Sequence, residues 1–146
     1  MAELRPVNRL AALHEVCEEN YRKLRQLIPA LPYLSSGTVL EFRSQPKLRV
    51  EVLEKSRYTM LLEFNYCFAG TSPVVLEPAL EVRVYFDARM AEVLRDQERI
   101  PPRYPSREQH TLKRKWELNY FFHKWLDHCL RRGYFLEEVK RHSEAR

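Results

Sequence analysis

Asp87 and His110 have the best claim to chemistry in this sequence. Asp87 falls where an alternating apolar run ends, and His110 falls in the first turn of a long helical pattern. A carboxylate and an imidazole held together can exchange protons with a bound group or hydrogen-bond to a partner. Arg83 and Tyr85 lie just before Asp87. With the free N–H groups of a helix start, Arg83 could hold a small anionic ligand, and Tyr85 could add a hydrogen bond. Alternation, however, puts Arg83 and Tyr85 on the sheet face away from the helices. They reach the helix start only around the sheet's end, so Asp87 and His110 are the firmer pair. The plainer account is that Asp87 bonds within its own turn and His110 caps or solvates its helix. On that account the chain reads as a non-enzymatic module that binds an unidentified protein or small anionic ligand. A weak electrostatic RNA-binding protein is the alternative, and a small enzyme using Asp87 and His110 as acid–base groups is the second.

The remaining pairs carry less. His14 and Cys17 are three apart on one helical face, and His123 and Asp127 are four apart on another. Zinc needs about four ligands converging in space. Cys17 and Cys129 occupy core-stripe positions, so neither a metal nor a cofactor is expected. His128 adjoins Cys129 but points about 100° away on a helix, which removes the base that a thiol nucleophile needs. The three cysteines, Cys17, Cys67 and Cys129, are widely spaced and read as reduced, packed thiols of a cytoplasmic protein.

The net charge of +5 is uneven, with twelve Lys/Arg against six Asp/Glu from Arg99 onward. Arg107, Lys113, Arg114, Arg131 and Arg132 are the residues that would contact RNA, nonspecifically and through its phosphates. A solvated helix face explains the same charges, because no aromatic-interleaved basic motif accompanies them. Three glycines in the whole chain argue against phosphate-cradling loops. No apolar run approaches the roughly 18 residues of a membrane span, and the N-terminus lacks a secretory apolar core.

These residues must be positioned by a small number of elements. The 146 residues are read as one domain, 1–146. Asn8 is a helix N-cap, and Leu10, Leu13, Val16, Cys17, Tyr21 and Leu24 trace one stripe of a helix over about 8–28. Glu15, Glu18, Arg22, Lys23 and Arg25 are placed mostly outside it. Period-two alternation then marks strands within 38–95. The first runs hold Leu40 and Phe42, then Leu48, Val50 and Val52. The next hold Met60, Leu62 and Phe64, then Leu80, Val82 and Val84. Residues 88–95 fit strand or helix, with strand preferred. The other sheet face should carry crossed charges, among them Glu41, Arg43, Arg49, Glu51 and Glu63. A long helix over about 106–132 is capped by Ser106 and closed by Gly133. Its stripe holds Leu112, Trp116, Asn119, Phe122, Leu126 and Cys129, widened by Leu118, Phe121 and Trp125. Residues 134–146 would form a short helix or a tail. The sum is an α+β two-layer sandwich, an antiparallel sheet of four to five strands with both helices on one face.

Four segments in order, VCEENYRKLRQLIP, SRYTMLLEF, VRVYFDARMAEV and the last helix from RYP to FFHKWLDHCLRRG, resemble the YqiB-like family, small bacterial proteins defined as a domain of unknown function. The resemblance runs from roughly Leu13 to Gly133. It implies a cytosolic bacterial protein, and it brings no established activity, ligand or catalytic residue. Phe86 stands where the family commonly has histidine in a Tyr-His-Asp-Ala turn. Leu112-Lys113-Arg114 stands where an acidic pair usually follows the position of His110. A family site built on those polar residues would be altered here.

Overall fold

The computed structural model describes residues 8–43, 47–67, 80–96 and 108–141. Helix α1 (Arg9–Leu27) is followed by strands β1 (Thr38–Arg43), β2 (Lys47–Lys55), β3 (Thr59–Cys67), β4 (Leu80–Tyr85) and β5 (Met90–Asp96). Helix α2 (Glu108–Arg132) and strand β6 (Phe135–Arg141) complete the chain order. The strands form one six-stranded antiparallel sheet in the order β5-β4-β3-β2-β1-β6. The α+β sandwich is therefore as expected, with one strand more than the sequence implied. Residues 90–96 are strand. The readings that placed Ser106 as an N-cap and Arg107 in a basic patch lie outside the described residues.

Each helix end has a local cause. The Asn8 side chain accepts from the Ala11 N–H at 3.0 Å, satisfying one of the free donors of the first turn of α1. At the far end of α2, Gly133 adopts φ +75°. Its N–H bonds Leu130 O, and the Tyr134 N–H bonds Cys129 O. This paired closure needs a left-handed residue, which glycine supplies without a Cβ penalty. It turns the chain straight into β6.

That turn overturns the expected C-terminal helix or tail at 134–146 where the residues are described. Phe135–Arg141 pairs antiparallel with β1, with a bulge opposite Glu41 and Phe42. Leu136 and Val139 are three apart, which mimics a helical stripe. Pairing with an open sheet edge decides the outcome instead.

The core lies between the helices and the sheet face built from Leu40, Phe42, Leu48, Val50, Val52, Met60, Leu62, Phe64, Val82, Val84, Ala91 and Val93. Leu24, Leu27, Phe122, Leu126 and Cys129 close it from the helix side. The helices run parallel, since Asn20 meets Asn119 while Lys23 meets His123 and Asp127. Helix α2 starts against β5, through Lys115 and Asn119. It crosses β3 at Phe64 and ends by feeding β6 at the opposite edge.

Four sequence placements change. Leu10 and Phe121 are half exposed and Lys23 is buried. Trp116 packs against a small second cluster with Leu13, Val16 and Cys17 rather than against the sheet. On the outer face Glu41 opposes Arg49 and Arg83 opposes Glu92, as crossed charges should. Glu51, Glu63 and Glu81, by contrast, stand in one row across β2, β3 and β4.

Candidate functional site

Of the polar residues singled out around Asp87, the structure describes the side chains of Arg83, Tyr85 and Asp87. The hairpin loop between β4 and β5 contains Asp87, and its sharp reversal puts Arg89 at φ +57°. The Asp87 side chain is exposed and accepts from the Ala88 N–H at 3.0 Å. His110 falls on α2, but its side chain is outside the described residues, so the pair has no measured separation.

Arg83 and Tyr85 share a corner with two residues that were not singled out. Lys115 of α2 reaches around the β5 edge and donates to Glu92 Oε2 at 3.0 Å. Burial, with the neighbouring Glu92 carboxylate, raises the Tyr85 phenol above its ordinary value. Tyr85 therefore remains a protonated donor. Glu92 faces Arg83 across the strand pair, so its charge opposes the anion that Arg83 was expected to hold. The corner ties the start of α2 to the sheet margin.

A second cluster sits between the helices and was missed. Lys23 of α1 donates to Asp127 Oδ1 at 2.7 Å and lies 3.3 Å from His123 Nδ1. Its stem is buried, where an uncompensated ammonium would be costly. Asp127 supplies the counter-charge, and its hydrogen bond from Lys23 holds its carboxyl below the usual value of 3.8. Burial and the adjacent ammonium push the His123 imidazole below its ordinary 6.5. At neutral pH it is uncharged, so Nδ1 can accept from Lys23 with the ring proton on Nε2. The i,i+4 spacing of His123 and Asp127 was visible in the sequence, but their common partner comes from about a hundred residues away.

This cluster sets a pH dependence. Because folding lowers the His123 pKa, the unfolded chain takes up that proton first as pH falls below 6.5, and stability drops. The Asp127 contribution is present above 3.8 and is lost as pH falls through its lower folded-state value. Thermal melts of wild type and His123→Asn on lowering pH from 7 should show a steeper decline in wild type just below 6.5. Superimposable slopes would remove His123 as the cause.

The Cys67 side chain lies outside the described residues, and neither described thiol is poised for reaction. Cys17 and Cys129 are unbridged and buried, and burial pushes each thiol up to about 12. The thiolate needed for nucleophilic attack is therefore suppressed. Among the described residues, no three His, Cys, Asp or Glu side chains are grouped to hold a metal. The basic residues do not form one patch. Lys113 and Arg131 are 18 positions apart on α2, roughly 27 Å, and Lys113 is spent partly on Glu117 at 4.0 Å. Arg114, Arg131 and Arg132 are exposed.

The least expected surface is the β6 edge. Phe135 is 54%, Leu136 40% and Val139 53% exposed. Among the described residues β6 pairs only with β1, leaving its outer side open. On the opposite edge, β5, α2 caps one donor: the Val93 N–H donates to the Asn119 side-chain oxygen at 2.8 Å. No helix of the described residues is long and apolar enough to cross a membrane.

A family model described as "Protein of unknown function (DUF1249)" matches residues 23–135. "Uncharacterized protein YqiB" of Escherichia coli strain K12 is 32% identical over 123 residues, covering 81% of this chain and 86% of the relative. Its counterpart in Escherichia coli O157:H7 matches to the same extent. No solved structure matches.

Proposed function

The chain belongs to the DUF1249 family of proteins of unknown function, and from that premise we propose that it works as a non-enzymatic protein-binding module docking through β6. One observation carries this reading: an edge strand that shows Phe135, Leu136 and Val139 to solvent, while α2 caps the other edge at Val93. An open strand presents unpaired N–H and C=O groups, and natural sheets usually blunt such edges. Extended segments recognise edges of this kind by main-chain pairing, with alternate side chains adding selectivity. The suppressed thiols and the internally paired polar clusters favour binding over catalysis. The unbridged Cys17 and Cys129 fit a reducing compartment, so the cytoplasm is the place assigned to it. The family match ends at Phe135, and the docking edge thus rests on this chain's own residues.

The test compares immobilised wild-type chain with Val139→Lys in capture from bacterial extract. Val139 is exposed, so the variant should keep its melting temperature while the captured proteins fall at least tenfold. Equal capture by both forms would remove β6 as the docking element.

A further inference from the structure

We infer that the occupant of this edge is a second copy of the chain, whose β6 runs antiparallel to the first about a two-fold axis at Val139. The inference rests on the reading of β6 as a docking edge. Such an arrangement joins two six-stranded sheets into one and makes the contact self-complementary.

The register follows from the residue types. The strand reads Phe-Leu-Glu-Glu-Val-Lys-Arg over 135–141. With the axis at Val139, Glu138 stands opposite Lys140 of the other copy, and Glu137 opposite Arg141. Both pairings occur twice by symmetry. An axis at Glu138 or Lys140 sets that residue against itself, which places like charges directly opposite. Val139 meeting Val139 puts an exposed apolar side chain at the centre. The backbone supports the same position. Residues 138–141 pair regularly with β1, and the bulge is confined to the neighbourhood of residue 137. The two-fold thus falls in a straight part of the strand. Leu136 and Val139 stand opposite Phe42 and Leu40, so the apolar contact would continue the helix-covered face of each sheet. At the other side α2 caps the β5 edge at Val93, which disfavours continued addition of strands beyond two copies.

Sedimentation velocity with light scattering over a concentration series tests this on the full chain. Wild type should approach twice the 17.6 kDa of one chain as concentration rises. Glu138→Lys and Lys140→Glu should each remain single copies, because each sets like charges opposite one another. An equimolar mixture of the two should regain the doubled mass, since both lysines of one variant then face both glutamates of the other. The double variant should also pair with itself. Wild type that stays at one copy throughout, or single variants that pair as wild type does, would overturn the inference. If wild type stays single while Val139→Lys loses the captured proteins, the docking edge stands and only the second copy falls. If capture is also unchanged by Val139→Lys, the docking reading falls with it.

Discussion

Phe122→Ala should lower stability by about 3–5 kcal/mol, the range for deleting a fully buried aromatic. Phe122 is completely buried in the middle of α2. Its ring meets Phe64 edge-on at 5.4 Å and stacks on Trp125 at 5.9 Å. Below it lies β3, whose backbone is pinned by β2 and β4 on either side. The cavity left by alanine has little freedom to collapse, and that residual void adds to the lost transfer energy. Trp125 packs on the same Phe64 ring at 5.8 Å but remains partly open at the core margin. Trp125→Ala should therefore cost less, about 1–3 kcal/mol, because the exposed part of the ring contributes no burial. Urea denaturation of both variants reads the difference. A Trp125→Ala loss equal to or above that of Phe122→Ala would show that the margin, rather than the centre, of this interface holds α2 down.

The period-two runs made β1 to β4 legible, because a sheet with one covered face repeats its apolar residues every second position, whereas β5 fitted strand or helix until its pairing with β4 decided it. The long stripe on α2 was equally readable, as was its closure at Gly133. What escaped was set by pairing between distant residues. Nothing local separates Phe135–Arg141 from a frayed helix; β1 lies far earlier in the chain and supplies the missing hydrogen bonds. Lys23 looks like a surface residue on a helical wheel. It is buried because two helices run parallel and bring Asp127 against it, an orientation that no periodicity encodes. Phe121 erred the other way, since a wide apolar stripe predicts burial on both flanks and the sheet covers only one. The four ordered segments did identify the family. They could not indicate the β6 edge, most of which lies beyond the matched span. Of the site residues, Arg83 and Tyr85 were placed on the correct face, but Glu92 and Lys115, which meet at that corner, belong to elements whose meeting had to be seen.

Asn119→Ala should uncap the β5 edge at Val93. Asn119 is fully buried on α2. Its side-chain oxygen accepts the Val93 N–H at 2.8 Å, and its amide donates to Lys115 O at 2.9 Å. The Asn20 amide lies 3.3 Å from its backbone oxygen and 3.4 Å from its side-chain oxygen. Its place in the stripe was clear from spacing, yet an apolar residue there would pack without serving β5. Alanine leaves the Val93 N–H buried with no acceptor, which alone costs about 1–3 kcal/mol. The Asn20 amide loses one of its two contacts in addition. Asn119→Leu fills the volume and repeats the defect, so it should be destabilising as well, although it restores apolar contact. Hydrogen exchange separates this effect from simple cavity formation. The Val93 amide should exchange at least tenfold faster in Asn119→Ala than the Val82 amide in the neighbouring strand, after correction for global stability. Freeing the β5 edge should also let chains add at both sides of the sheet, so the variant should form species larger than two copies. Protection at Val93 that falls no more than at Val82 would mean that the helix covers the edge by packing alone and that the Asn119 hydrogen bond is incidental.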